Sequence, residues 1–510
     1  METLLDIAQS NTWLLIWPEI TLGILALGLL VATMVCPKWP ANRFFLISFG
    51  GQLLVLVTFI TLWCCTDFMA KQESGFGNLW IQTPRHQWMR CFLLLSALPL
   101  NWLGTLYLKS PSTSGLAAEF YAIISIVTAA LMLMVQSQHF ILFFVALETA
   151  AVGFYILVSY SRQSALSLEA GLKYLILGAL SSAIMLFGIV LLYGSASHPG
   201  LNPTHMGSVD ALHFDHLSTF IAANGQHLWV QAGAILVVAG LAFKIGVFPF
   251  QIWIPDVYQG APMPTAAFLA VGSKAAGVFA LLHLVRGPFS SLDFLLIPLL
   301  STAAVLTLLF GNLAALSQRN VKRLMGLSGI AHAGYLLIGV VAAFTVPWAE
   351  AAVGFYLLTY YLGAFAVFGV MGYVAGSDES SQELLNYSGL GQNQPFLATV
   401  LAMGLGSLAG IPPLAGFAGK LLLFLAGFEA ELYGLLICGL IGVLLGVYYY
   451  LSWIRDAVFA LREGTTNVTS TARLAAINVC TAHRWIWGSL AAGTVVFGLY
   501  QGGLLHLLLP

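Results

Sequence analysis

Charge is what this sequence has least of. Asp, Glu, Lys and Arg make up 8% of its 510 residues and hydrophobic residues 59%, against roughly 25% charged residues in a soluble chain. A water-soluble core of this size is excluded, so most of the length must face lipid or other helices. The 19 basic residues are spread thinly against 20 acidic ones, for a net charge of -1, and form no basic face for nucleic acid or an anionic surface. The six cysteines (Cys36, Cys64, Cys65, Cys91, Cys438, Cys480) include no CxxC pair and no Cys/His spacing suited to zinc, iron–sulfur or c-type haem. They read as small apolar fillers. No GxGxxG follows a strand-like run. No cleavable signal or transit peptide is expected from the first residues. Trp13 to Cys36 is a full spanning length with no small-residue cleavage site after it, and it is expected to be the first helix.

What is present is a succession of apolar runs. With roughly 20 residues per crossing, spans are expected near 12–35, 44–66, 91–108, 118–136, 139–160, 169–194, 228–250, 264–286, 292–316, 324–344, 348–375, 395–427, 430–453 and 485–508. The fold class is therefore an all-α polytopic membrane protein of about fourteen helices. Alternating the loops gives one side Lys38, Arg43, Lys109, Arg162, Arg319, Lys322, Arg323, Arg455, Arg462, Arg473 and Arg484, and the other only Lys71, Arg85, Arg90 and Arg286. The positive-inside bias places the first set inside and both termini outside. The connection from Ser195 to His227 carries no Lys or Arg, which suits the outside. Its histidines, His198, His205, His213, His216 and His227, have no ligand frame and are expected to be solvated, so no metal is assigned.

Two spans are interrupted by proline. The seventh reads AGLAFKIGVFPFQIWIPDVYQGAP, with Pro249 and Pro255. The twelfth reads GSLAGIPPLAGFAGKLLLF, with Pro412 and Pro413. Each is expected to break inside the membrane, where missing donors are tolerated only beside protein or water. Lys244 precedes one break and Lys420 follows the other, 176 residues apart. That offset carries the fourth span onto the ninth, and the next four approximately onto the tenth to thirteenth, so the chain contains two five-helix units. Five is odd, and the second unit must enter the membrane from the opposite side, as in transporters with inverted repeats. The segments are then 1–117, three helices; 118–286 and 287–453, the repeats; and 454–510, an inner loop and last helix. Proline kinks that merely shape the bundle are the competing reading.

The charges within spans are Glu148, Lys173, Lys244, Lys274 and Lys420. An ionisable group at mid-bilayer costs roughly 2.5 to 3.5 kcal/mol on insertion scales, so such groups mark ion paths unless they are static pairs fixing register. Lys173, near a span end, can also be explained by snorkelling. Glu169 and Glu19 lie at helix ends, where they are expected to be wet. Desolvated lysine suits proton transfer because, unlike arginine, it can release its proton. His332, in RLMGLSGIAHAGYLLIGV, could bridge the units, although a lone histidine on a packed face is often only a satisfied core residue.

The stretches FKIGVFPFQIWIPDVYQGAPMPTAAFLAVGSKAAG, NVKRLMGLSGIAHAGYLLIGV and GIPPLAGFAGKLLLF resemble the antiporter-like membrane subunits of proton-pumping NADH:quinone oxidoreductase, respiratory complex I. PDVYQGAP and GIPPLAGFxGK resemble the N, or subunit 2, branch. The resemblance spans roughly 118–453. It implies a proton path through Glu148, Lys244, Lys274, His332 and Lys420, each matching in residue type, with Lys173 secondary. The continuation ETAAVGFY after Glu148 departs from the more usual leucine- and serine-rich one. The resemblance also implies no redox catalysis and no bound cofactor in this chain. NADH, FMN, iron–sulfur clusters and a quinone would belong to other subunits, the partners would be the other complex I membrane subunits and the bilayer, and the location a bacterial inner membrane. A subunit of a multisubunit cation/proton antiporter or of an energy-converting hydrogenase remains an alternative, as does a structural membrane anchor.

Overall fold

The computed structural model describes residues 13–36, 38–65, 73–109, 114–201, 210–376, 382–459, 474, 475 and 477–502. Lys71, Arg462, Arg473 and His205 of the sequence reading lie outside the described residues.

The helices are α1 (Trp17–Val35), α2 (Ala41–Cys65), α3 (Pro84–Tyr107), α4 (Ala117–Val135), α5 (Phe140–Val158), α6 (Ala165–Ala196), α7 in two halves (Leu228–Ile245 and Trp253–Gly260), α8 (Met263–Arg286), α9 (Asp293–Leu316), α10 (Val321–Ala342), α11 (Ala349–Ala375), α12 in two halves (Pro395–Ala409 and Ala415–Glu429), α13 (Tyr433–Val458) and α14 (Thr481–Leu499). Among the described residues, 12 helices are long and apolar enough to cross a membrane. The two halves of α12, 15 residues each, and α14 stand outside that set. A helix satisfies its own backbone in lipid, which is why apolar runs of this length take no other form. The β structure among the described residues is a small hairpin, β1 (Glu73–Gly75) with β2 (Trp80–Gln82), at the end of the bundle where α3 starts. This is called the hairpin end below, and the opposite end the basic end.

Burial sorts the helices into layers. α8 and α10 are buried along 100% of their spanning windows and α11 along 94%, whereas α1, α2, α6, α9 and α13 are only 28–39% buried and turn apolar side chains outward. The three central helices are the ones that carry Lys274, His332 and a group of tyrosines.

α3 starts seven residues before the expected span because its polar first turns are buried. Thr83 caps it, accepting from the His86 N–H at 3.5 Å, and Pro84 fits the first turn. Arg90, expected in a loop, is fully buried within α3 and donates to Glu19 at 2.6 and 2.9 Å. Glu19 is thus a buried pair partner and not a wet helix end. His213, expected to be solvated, is also buried, with Nε2 2.9 Å from the Asn78 carbonyl.

The two broken helices are built alike. Each first half ends on a left-handed glycine, Gly246 (φ 84°) and Gly410 (φ 86°), a conformation that glycine adopts without a Cβ penalty. The next N–H, of Val247 or Ile411, reaches back to the Ala242 or Gly406 carbonyl at 2.8 and 3.0 Å. Three residues after each glycine comes a cis proline, Pro249 or Pro413. Pro412 and Pro413 lie in their break, as does Pro249. Pro255, read from the sequence as a breaker, instead occupies the first turn of the second half of α7, where a missing N–H interrupts nothing. Packing repeats too: α4 lies on α5 as α9 lies on α10, and both halves of α7 and α12 pack on the preceding helix.

Candidate functional site

The second half of α12 places Lys420 opposite the end of the first half. Its Nζ donates to the carbonyls of Leu408 and Ala409, each at 2.9 Å, and lies 4.9 Å from the centre of the Tyr335 ring. Those carbonyls belong to the last turn of the first half, where no following N–H can reach them, and the partial negative charge there favours a cation. Lys420 thus holds the break together. Lys420, Ser407, Thr359, Tyr356, Tyr360 and His332 line one closely packed pocket, which brings Lys420 and His332 into the same small neighbourhood.

His332 sits on α10 between two hydroxyls, with Nδ1 2.6 Å from Tyr356 Oη and Nε2 3.2 Å from Tyr450 Oη. Its ring centre is 4.8 Å from that of Tyr360. The Nζ of Lys274 also lies 5.2 Å from the centre of the Tyr360 ring and donates to the Gly329 carbonyl. A π-turn, Leu269–Ser273, immediately precedes Lys274 in α8. Such turns cluster at functional sites because they interrupt the regular backbone ladder. Lys274, His332 and Lys420 are all buried, and tyrosines link them into one cluster.

Lys244 stands apart from that cluster. It lies in the last turn of the first half of α7. Its Nζ is buried without a hydrogen-bond partner, 5.8 Å from the Tyr155 ring and 6.0 Å from that of Phe243. It lines a cavity of about 10 Å³ with Met134, Ser273 and Gly277 among others, room for roughly one water. Ser273 directly precedes Lys274, so α8 separates the Lys244 cavity from the central cluster. Glu148, half-buried on α5, accepts a hydrogen bond from Ser182 of α6 and is near enough to Lys244 and Tyr155 for their charges to interact. No ion pair joins Glu148 to Lys244.

Lys173 is exposed and paired at the basic end, 2.8 Å from both Glu169 and Asp256. Asp256 in turn meets Arg323 at 2.7 Å. This network ties α6, α7 and α10 together and leaves Lys173 outside the buried cluster.

Sequence reasoning missed the tyrosines, Ser182 and the carbonyl acceptors. Tyr356 and Tyr360, four residues apart in YLLTYY, were the available signal, because a tyrosine in an apolar span needs a partner for its hydroxyl. Among the described residues, no group of three or more His, Cys, Asp or Glu could hold a metal ion.

One substitution probes the Lys274 seat. A Cβ on Gly329 would lie 2.9 Å from Lys274 Nζ and 3.3 Å from Tyr360 Oη. Gly329→Ala should therefore displace the ammonium from its carbonyl while the chain still assembles. The expected result is a several-fold loss of proton translocation, measured in vesicles.

Residues 137–446 match the family described as NADH:quinone oxidoreductase/Mrp antiporter, transmembrane. The chain is 50% identical to NADH-quinone oxidoreductase subunit N 1 of Opitutus terrae, over 99% of this chain and 98% of that one. It superposes on a chain of respiratory complex I from Thermus thermophilus with TM-score 0.74 and 27% identity, covering 96% and 98% of the two chains. The Mrp complex of Dietzia sp. shares the fold, with TM-score 0.80 over 96% and 95% of the chains, at 18% identity. Fold alone thus reaches the Mrp antiporters, while identity selects one branch. With its all-α membrane architecture and its two broken helices, each with a lysine beside the break, the chain belongs to the antiporter-like membrane subunits of NADH:quinone oxidoreductase, in the subunit N branch.

Proposed function

We propose that this chain moves protons across a bacterial inner membrane as the subunit N component of a complex I, driven by NADH oxidation and quinone reduction in other subunits. Protons pass by way of Glu148, Lys244, Lys274, His332 and Lys420. On this reading residues 118–286 and 287–453 are inverted five-helix repeats, 1–117 a three-helix segment and 454–510 an inner loop with the last crossing. That makes fourteen helices, with the hairpin end and both termini outside. The likeness of the two breaks and of the packing around them supports the repeats. FMN, iron–sulfur clusters and the quinone belong to the partner subunits, and this chain's part is non-redox.

The observation that carries the proposal is where the buried cations find their partners. A structural anchor would hold its charges in pairs, as Arg90 and Glu19 are held at 2.6 Å. Among the described residues, Lys244, Lys274 and Lys420 form no ion pair. Their neighbours are carbonyls, aromatic rings and, for Lys244, a cavity of about 10 Å³ with Glu148 nearby but not in contact. A lysine held by carbonyls and ring faces can pass on its proton without leaving an uncompensated carboxylate buried in the membrane.

Glu148→Gln in the assembled complex, reconstituted into vesicles, tests this directly. Glutamine can still accept from Ser182 but has no charge to act on Lys244. Proton pumping should fall by roughly tenfold, equivalent to about 1.4 kcal/mol of barrier, with assembly unchanged. Unaltered pumping per electron would remove Glu148 from the path.

A further inference from the structure

Two histidines outside the lysine cluster have the makings of a route to the hairpin end. His86, in the first turn of α3, and His283, in the last turn of α8, are 1% and 6% exposed. Their rings meet edge to face with centres 5.0 Å apart. His283 Nε2 lies 3.1 Å from the Ser137 carbonyl and 3.2 Å from Gln138 Oε1. The Gln138 amide nitrogen is turned to Asp215 at 3.2 Å, so both neighbours of Nε2 are acceptors and Nε2 carries the proton. Nδ1 then presents a lone pair, and it has no partner. His86 Nδ1 is 2.7 Å from Thr83 Oγ1, and its Nε2 likewise has none. Buried nitrogens left open on adjoining rings require an explanation, and packing alone supplies none.

Their position supplies one. Met134 walls the Lys244 cavity, and Ser137, one turn further along, is the residue His283 donates to. Gly277 walls the same cavity from α8, six residues before His283, or about 9 Å of helix rise. The pair therefore lies between that cavity and the surface at the hairpin end, where the half-buried Thr83 begins α3.

We propose that His283 and His86 carry protons between the Lys244 cavity and the hairpin-end surface. A proton from the cavity binds Nδ1 of His283, giving an imidazolium, and that N–H bond breaks as the proton passes, by way of a water molecule between the rings, to Nε2 of His86; the water gives up one proton as it gains the other. His86 then releases its Nδ1 proton to the Thr83 hydroxyl, which passes one of its own to solvent. Both rings end neutral, with His86 now carrying its proton on Nε2, and tautomerisation back to the Nδ1–H form readies it for the next transfer. The charged and titratable groups around the pair are Arg85 and Arg90 on α3, Arg286 on α8, Glu350 on α11, and His139, His213 and Asp215 at the neighbouring turn.

This inference rests on the proton-translocating reading above, and its test separates the two. His283→Gln keeps a donor near Nε2 for Ser137, and His86→Asn keeps a donor near Nδ1 for Thr83, so each variant should assemble while losing the titratable ring. Whole complex carrying each variant is reconstituted with the hairpin end facing the vesicle lumen. NADH-driven pumping is then followed as the lumenal pH is varied. Several-fold slower pumping that no longer responds to lumenal pH is expected. Parental pumping, or a loss that keeps the parental pH response, overturns the route. Lys244→Ala is measured alongside. If it pumps normally the underlying reading fails, whereas a silent Lys244→Ala beside normal histidine variants removes this inference alone.

Discussion

Gly410→Val should strip most of this chain from the assembled complex. Gly410 sits at φ 86°, a conformation that costs an L-residue roughly 1–2 kcal/mol and a β-branched one more. The added Cβ would meet Lys420 Cδ at 3.0 Å and Nζ at 3.3 Å, so the strained residue also pushes away the side chain that spans the break. Once Lys420 moves, the Leu408 and Ala409 carbonyls lose their donor, and each unsatisfied group inside a membrane costs several kcal/mol. Neighbouring glycines cannot compensate, because Gly416 is itself committed: its N–H donates to Ser407 Oγ at 3.1 Å, and a Cβ there would run into the Ser407 carbonyl. Gly434→Ala is the matched control, because a Cβ at Gly434 meets nothing within 4 Å. Quantifying the chain in purified complex should show near-parental amounts for Gly434→Ala and a large loss for Gly410→Val. Equal amounts would mean that the break is not held by the Gly410–Lys420 contact.

Much of this architecture was legible in the sequence because a membrane leaves few choices. Long apolar runs must be helices, and prolines with adjoining glycines mark where such a helix can open. The reading failed where polar residues are buried by partners far away in sequence. The PRHQWMR stretch looked like a loop, yet it begins α3, because Arg90 finds Glu19 seventy-one residues earlier. Pro255 looked like a breaker and proved to be a first-turn proline. The break it was assigned to turns on Gly246, whose left-handed φ no composition count reveals. For the candidate site, the charged residues could be picked out because charge is so rare here. Their connections could not. Nothing local says that Tyr360 of α11 meets both Lys274 of α8 and His332 of α10, or that Lys420 answers to two carbonyls across its own break. These are tertiary contacts between helices that the sequence places but does not orient.

Lys420→Arg should silence translocation as thoroughly as Lys420→Ala, and this is the second large effect. Arginine keeps a positive charge beside the Leu408 and Ala409 carbonyls and can donate to both, so the break remains held and the chain should assemble. What it cannot do is release a proton in the working range. If Lys420 were a fixed charge that only ties the halves of α12 together, arginine would serve. If Lys420 takes up protons and passes them on towards Tyr356 and His332, arginine is as disabling as alanine. The loss should reach roughly a hundredfold, the lower end of what a positioned proton donor contributes. Alanine should in addition lower the amount of assembled complex, since it leaves both carbonyls without a donor, and that difference separates the tether from the carrier.

The most direct test is proton translocation by whole complex carrying Lys420→Arg in sealed vesicles, followed as NADH is oxidised and normalised to the chain present. The account predicts near-parental assembly with pumping reduced to the level of Lys420→Ala. Parental pumping by the arginine variant would contradict it, because the buried lysine would then be a structural cation and the chain no proton path.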